Sequence, residues 1–187
     1  MNLVIEQIDR LIAKKEQVII AIDGYCTSGK TTLVLALEKQ YDCNVFHMDD
    51  FFLREEQRTP QRFEQIGGNI DYERFKKEVL IPLKSGKSFA YRPFDCSTFT
   101  LGKEVTVVPK KLSIVEGTYS LHPYFGEVYD LKVMLNITED EQRKRILKRP
   151  AFLHQRFFNE WIPMENRYFE GFNIAEKCDL VLKLFDE

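Results

Sequence analysis

A chain of 187 residues with a formal net charge of −2 has the length of one domain and lacks the basic surplus that would hold nucleic acid or an anionic membrane. Its four cysteines, Cys26, Cys43, Cys96 and Cys178, lie far apart without the paired C-x-x-C spacing of a zinc site, which points to reduced thiols and a cytoplasmic protein. No run approaches the roughly 20 apolar residues of a membrane-spanning helix, and an N-terminal stretch carrying Glu6 and Asp9 does not read as a secretory signal.

The first predicted element is a helix over 2–16, where Leu3, Val4, Ile8, Leu11 and Ile12 recur at helical spacing and Lys14, Lys15 and Glu16 close the segment. Residues 18–22, Val-Ile-Ile-Ala-Ile, are short and β-branched, as in a buried strand. Directly after them comes Gly24-Tyr25-Cys26-Thr27-Ser28-Gly29-Lys30-Thr31, a complete G-x-x-x-x-G-K-[ST] phosphate loop, and residues 32–39 suit a helix. In such a loop the glycines let backbone N–H groups turn inward around a phosphate, and the positive end of the following helix adds to the field. Residues Gly24 to Thr32 are thus the candidate ATP site, with Lys30 directed at the β- and γ-phosphates and the Thr31 hydroxyl at the nucleotide's Mg2+.

A short strand is predicted over 44–47, ending at Met48-Asp49-Asp50, with Phe51 and Phe52 anchoring the turn by packing. Asp49 is placed to take the proton from an acceptor hydroxyl, while Asp50 is either structural or a metal contact through water. Residues 54–70 show no periodicity and read as a surface excursion; a helix is predicted over 71–83; and 84–110, with Gly86, Pro93, Gly102 and Pro109, reads as a short β excursion. Strands follow at 112–115, ending at Glu116-Gly117, at 131–135 and at 180–182, with a helix over 139–148. Glu116 is the candidate acid on the metal side, directly or through water.

Strands alternating with helices predict an α/β fold of the P-loop type, a three-layer sandwich around a central parallel sheet, with one domain over 1–187 and a lid-like segment at about 143–160. Ligands of such sheets collect beyond the carboxyl ends of the strands, so Asp23, Asp49 and Glu116 are expected beside the phosphate loop. In Arg143-Lys144-Arg145-Ile146-Leu147-Lys148-Arg149-Pro150, Arg145 and Arg149 lie four apart and can point the same way, toward ATP phosphates under a closed lid; a solvated helix face is the plain alternative.

At these residues the chain resembles the uridine kinase-like branch of phosphate-loop kinases, including nicotinamide riboside kinases. The resemblance is carried by Gly24 to Thr31, His47-Met48-Asp49-Asp50-Phe51-Phe52, Val115-Glu116-Gly117 and the basic region 143–149, and Trp161-Ile162-Pro163-Met164 followed by Tyr168 looks like the nicotinamide riboside kinase side. It implies that Asp49 is the acceptor-hydroxyl base and that Asp71 holds ribose hydroxyls, a role that competes with capping the helix beginning near Tyr72. It further implies that Tyr91, Phe94 and Asp95 belong to the acceptor region. Uridine kinases usually continue this last segment with a His and an Arg, whereas here Cys96-Ser97-Thr98-Phe99 follows.

The expected activity is ATP- and Mg2+-dependent phosphoryl transfer to the hydroxyl of a small molecule, a ribonucleoside by the resemblance. Alternatives are a nicotinamide riboside kinase-like activity and a non-kinase regulatory ATPase; without an N-K-x-D motif the chain is not read as a GTPase switch. Nucleic acid and membranes are not expected partners, and a homo-oligomer stays open.

Overall fold

The computed structural model describes residues 1–183. Helix α1 (Asn2–Ile12) precedes strand β1 (Val18–Gly24), and α2 (Lys30–Glu38) precedes β2 (Cys43–His47). The chain then makes a 3-10 turn over 48–51, the short helix α3 (Pro60–Glu64), and a continuous helical stretch in which α4 (Tyr72–Phe75) and α5 (Ile81–Lys84) are joined by a π-helical turn. Strands β3 (Phe89–Tyr91), β4 (Phe94–Asp95), β5 (Thr100–Leu101) and β6 (Val105–Val107) form two small antiparallel pairs, β3 with β6 and β4 with β5. Next come β7 (Leu112–Glu116), β8 (Leu131–Asn136), α6 (Glu139–Ile146), α7 (His154–Arg156), α8 (Ile162–Gly171) and β9 (Leu180–Lys183).

The central sheet has five strands in the order β2-β7-β1-β8-β9, all parallel. Leaving β1 the chain crosses to β2 on one side, and leaving β7 it crosses to β8 on the other. The carboxyl ends of β1 and β7 therefore flank the point where the winding changes direction, which is where doubly wound sheets hold ligands.

Period-two alternation along the strands separates the two cores. Val18, Ile20 and Ile22 of β1, with Leu112, Ile114, Leu131, Val133 and Leu135, face Val4 and Ile8 of α1 and Leu33, Val34 and Leu37 of α2. Ile19, Phe46, Val115 and Met134 point the other way, against Phe51, Phe75, Val79, Leu83, Tyr168 and Phe169. Both faces of the sheet are covered, as its near-continuous apolar strands require.

Some boundaries differ from the sequence expectation for local reasons. Helix α1 stops at Ile12, because the apolar repeat ends there and Lys14, Lys15 and Glu16 have no core to face. Helix α6 stops at Ile146 rather than 148; the chain tightens, with Arg149 N–H donating to the Ile146 carbonyl, before Pro150 disfavours helical backbone at its predecessor. The excursion 54–70 contains α3, which the search for periodicity passed over. Its signal was Thr59-Pro60: the Thr59 hydroxyl accepts from Arg62 N–H at 3.2 Å, and proline occupies the first turn.

Candidate functional site

The phosphate loop begins where β1 ends, and its backbone is committed to an unusual path. Gly24 has φ +146°, and a Cβ there would sit 2.2 Å from the Leu135 carbonyl oxygen of β8, so only glycine fits. Thr27, at φ +61°, and Gly29, at φ +103°, are left-handed; alternation of this kind turns successive N–H groups toward one centre. The strain at Thr27 lies in the loop that the motif assigns to phosphate. Helix α2 starts at Lys30 with no side-chain cap, which leaves its first-turn N–H groups for an anion. Thr27 Oγ1 and Ser28 Oγ are buried without a hydrogen-bond partner.

Beside the loop lies a cleft of about 270 Å³ lined by Thr27, Gly29, Lys30, Thr31, Thr32, Arg145 and Arg149. The two arginines thus meet the phosphate loop across one cavity, as their four-residue spacing allows. Arg145 donates to the Thr27 carbonyl at 2.9 Å and to Glu141 at 2.7 Å. Lys30 Nζ rests on the carbonyls of Gly24 and Tyr25, at 2.8 and 2.9 Å, with Thr118 Oγ1 at 3.3 Å. The remaining loop residues serve its walls: Tyr25 packs its ring 4.3 Å from that of Phe169, and Cys26 is gripped by Gln142, whose amide donates to its carbonyl and sulfur, and by Glu165, which accepts from its N–H at 2.9 Å.

The three strand-end carboxylates do different things. Asp23 is fully buried, which pushes its pKa up to about 6, and its oxygens accept from the N–H groups of Gly24, Tyr119 and Leu121 and from the Tyr168 hydroxyl. It is a structural clamp beneath the loop and faces no ligand. Glu116 is buried at the end of β7 and pairs with His47 Nδ1 at 2.7 Å. Asp49 follows β2 directly; burial first, and then the Glu116 charge, raise its pKa, while Lys30 and His47 pull it down. Asp49, Glu116, His47 and Lys30 therefore share one electrostatic neighbourhood. Asp50 also feels His47 and Asp49, but its carboxylate lies 3.4 Å from the Tyr91 hydroxyl, and burial raises its pKa.

Asp71 and Tyr91 meet at the 48–51 turn, where Asp71 N–H donates to the Phe51 carbonyl at 2.7 Å and the Tyr91 hydroxyl reaches Asp50. Asp71 caps α4, with Oδ1 accepting from Arg74 N–H at 3.1 Å, yet its Oδ2 is buried with no hydrogen-bond partner, 3.7 Å from Arg74 Nε and 3.8 Å from Arg54 Nε. Tyr91 is a core residue, its ring 5.5 Å from Phe51 and 6.0 Å from Phe46, and only its hydroxyl reaches a carboxylate. Phe94 is buried, edge-on to Phe99. Asp95 is exposed and folded back on its own turn, accepting from Ser97 N–H and Oγ. Trp161 packs edge-on against Phe157, and Tyr168 is wholly buried.

Sequence reading missed Thr118, Gln142 and Glu165. Thr118 follows Glu116-Gly117 and donates to the Gly24 carbonyl at 2.9 Å, so its signal was adjacency to a motif already noted. Gln142 and Glu165 reach the loop from helices more than a hundred residues away, and no local pattern marks them.

Mg2+ and ATP fit this arrangement through the loop and its orphaned hydroxyls. Among the described residues no three of His, Cys, Asp or Glu gather as a metal cage. No described helix is long and apolar enough to cross a membrane, and all four cysteines are free.

No protein-family model matches the chain, and no curated protein matches it. Among solved structures it is similar to a Bacillus stearothermophilus protein described as a possible uridine kinase, with a TM-score of 0.69 and 23% identity over 97% of this chain and 100% of that one. It is also similar to D-glycerate 3-kinase from Cryptococcus neoformans, with a TM-score of 0.56 and 14% identity over 95% of this chain and 86% of the other. The parallel sheet, the loop after its central strand and these two likenesses together show that the chain has the fold of the phosphate-loop kinases resembling uridine kinase.

Proposed function

We propose that the protein is a small-molecule kinase that moves the γ-phosphoryl group of ATP to a hydroxyl, with a ribonucleoside as the preferred acceptor class. The observation that supports this reading best is the shared neighbourhood of Lys30 and Asp49: a cation at the start of α2, in the phosphate loop, and an acid just past the end of β2 that feels its charge. A regulatory ATPase needs the first of these and has no use for the second.

Lys30, Thr31, Thr32 and the N–H groups of the loop would hold the nucleotide's phosphates, with the Thr31 hydroxyl and Glu116 on the metal side. Magnesium would neutralise charge on the phosphate oxygens. Asp49 orients the acceptor hydroxyl and takes its proton, which for a loose transition state is chiefly a positioning role. Arg145 and Arg149 already line the cleft, and their planar forks suit phosphate oxygens; a small inward movement of the segment 143–160 closes them on the transferring group. Asp71, whose Oδ2 is ion-paired with Arg54 and Arg74 but accepts no hydrogen bond, is the acceptor-side acid, while Tyr91 and Phe94 shape the wall behind it and Asp95 stiffens the β4–β5 turn.

Mass spectrometry of reactions with ATP, Mg2+ and pools of uridine, cytidine, nicotinamide riboside and sugar alcohols tests the proposal. One added phosphoryl group on an acceptor, abolished by Asp49→Asn, supports it. Hydrolysis of ATP that ignores every acceptor assigns the protein to the regulatory class.

A further inference from the structure

One buried acid touching the phosphate loop has no part in the scheme above. Glu165 projects from α8, is 5% exposed, and accepts the Cys26 N–H through Oε2 at 2.9 Å. Its partner is a backbone donor of the loop itself. Through that contact it sits within the field of Lys30, the cation that receives nucleotide phosphate. We propose that Glu165 is a positioning residue that couples nucleotide binding to proton uptake: with the site empty its carboxylate form is the loop's resident anion, and its balance moves toward the neutral carboxylic acid when phosphate charge arrives at Lys30. This rests on the assignment of the loop to a nucleotide.

The argument is electrostatic. Two negative groups cannot both draw on one partly buried ammonium without cost, and Glu165 can be neutralised by a proton near neutral pH. Burial already pushes Glu165 up to about 7, against the favourable pull of the Cys26 N–H and Lys30. The charged and titratable groups around it come from every neighbouring segment: Lys30 on α2, Asp23 on β1, the Tyr25 hydroxyl and Cys26 thiol in the loop, and the Tyr119 hydroxyl after β7. Lys30 alone among them is a cation. Added phosphate charge competes for it and moves the Glu165 equilibrium further toward the acid. The proton comes from solvent, and the neutral acid still offers an oxygen to Cys26 N–H, so the loop keeps its shape.

The sign follows. A group whose pKa rises on binding weakens that binding as pH climbs through the window between its two values. For a rise of one unit, wild-type affinity falls about sevenfold more than that of Glu165→Gln between about pH 6 and about pH 8.5. The glutamine keeps the shape and the oxygen acceptor but cannot titrate. Titration calorimetry with magnesium and adenylyl or guanylyl imidodiphosphate, in buffers of different ionisation enthalpy, should show about 0.4 proton more taken up at pH 7 by wild type than by the variant. The nucleotide's own titration is common to both proteins and drops out.

Equal proton uptake and parallel pH profiles would overturn the proposal while leaving the nucleotide site intact. Failure of both analogues to bind wild type at any pH would overturn it together with the nucleotide assignment. Should Glu165→Gln not fold by circular dichroism, infrared difference spectra of wild type decide the matter: a protonated-carboxyl carbonyl band that grows when the analogue is added supports the coupling, and its absence rejects it.

Discussion

His47 and Glu116 are register partners at the carboxyl ends of neighbouring parallel strands, and their side chains meet with Nδ1 2.7 Å from Oε1. The imidazole is half exposed while the carboxylate is buried, so the histidine both orients Glu116 and offsets its charge. If Glu116 lies on the metal side, His47→Ala should raise the magnesium concentration needed for half-maximal rate roughly tenfold, as loss of an outer-shell partner does elsewhere. The check is a magnesium titration of acceptor phosphorylation, with circular dichroism as the fold control. An unchanged requirement would return Glu116 to a purely structural role.

Lys30→Ala should abolish productive nucleotide use and leave the fold in place. Among the described residues the ammonium bonds only to loop carbonyls and Thr118, and it fills no core position. Thermal-shift measurements should show loss of stabilisation by ATP and Mg2+, with the melting temperature of the free protein nearly unchanged.

Asp49→Asn keeps the side-chain shape but cannot accept a proton. Nucleotide binding should survive, while acceptor-dependent turnover falls by about 10² to 10⁴. Asp50→Asn should be milder, because Asp50 faces Tyr91, and Asp71→Asn should mainly raise the acceptor KM. Steady-state kinetics of the three variants check the order; full activity in Asp49→Asn with none in Asp50→Asn would exchange their roles.

Burial lifts Asp23 from 3.8 to about 6. Its folded form therefore keeps a proton that the unfolded chain releases, so its contribution is present in full below about pH 4 and is lost as pH rises through 6, amounting to about 3 kcal/mol. Asp23→Asn removes that slope, but it leaves the Leu121 N–H and the Tyr168 hydroxyl facing an amide donor, a cost of about 1–3 kcal/mol for each. Urea unfolding should thus find the variant furthest below wild type near pH 4, with the gap shrinking toward pH 7. A gap independent of pH would show that Asp23 does not titrate in this way.

Gly24→Ala should be destabilising by about 4 kcal/mol or more, because the new Cβ meets the Leu135 carbonyl at 2.2 Å from a backbone held at φ +146°. Gly86→Ala is the control: its φ of +69° is strained but nothing lies within 4 Å, so its cost should be about 1 kcal/mol. Denaturation midpoints of the two variants check the contrast.

The parts of the molecule legible from sequence are those with local causes. The β-branched run of β1, the glycines and Lys30 of the loop, and the apolar spacing of α1 each act within a few residues of themselves. Asp49 and Glu116 could be singled out from sequence because strand ends in such sheets converge. Asp23 looked the same by that criterion and proved different, because strand alternation turns it toward Tyr168 and the interior. The aromatic residues of 91–94 could not be sorted from sequence, since a buried ring and a ligand-stacking ring have the same composition. Glu165 and Gln142 were invisible for a simpler reason: their partner, Cys26, is a neighbour in space alone.

The clamp around Asp23 also fixes the order in which this site is assembled during synthesis. The carboxylate under the phosphate loop is satisfied by Leu121 and by Tyr168, 98 and 145 residues further along the chain. Until those residues have been made, the loop exists as sequence but its supporting acid lacks these two donors. Helix α8 must be made and docked before the final donor arrives. In a nascent chain the phosphate loop therefore gains its full support only after α8 has been made and has docked, although the glycine-rich segment itself is made much earlier.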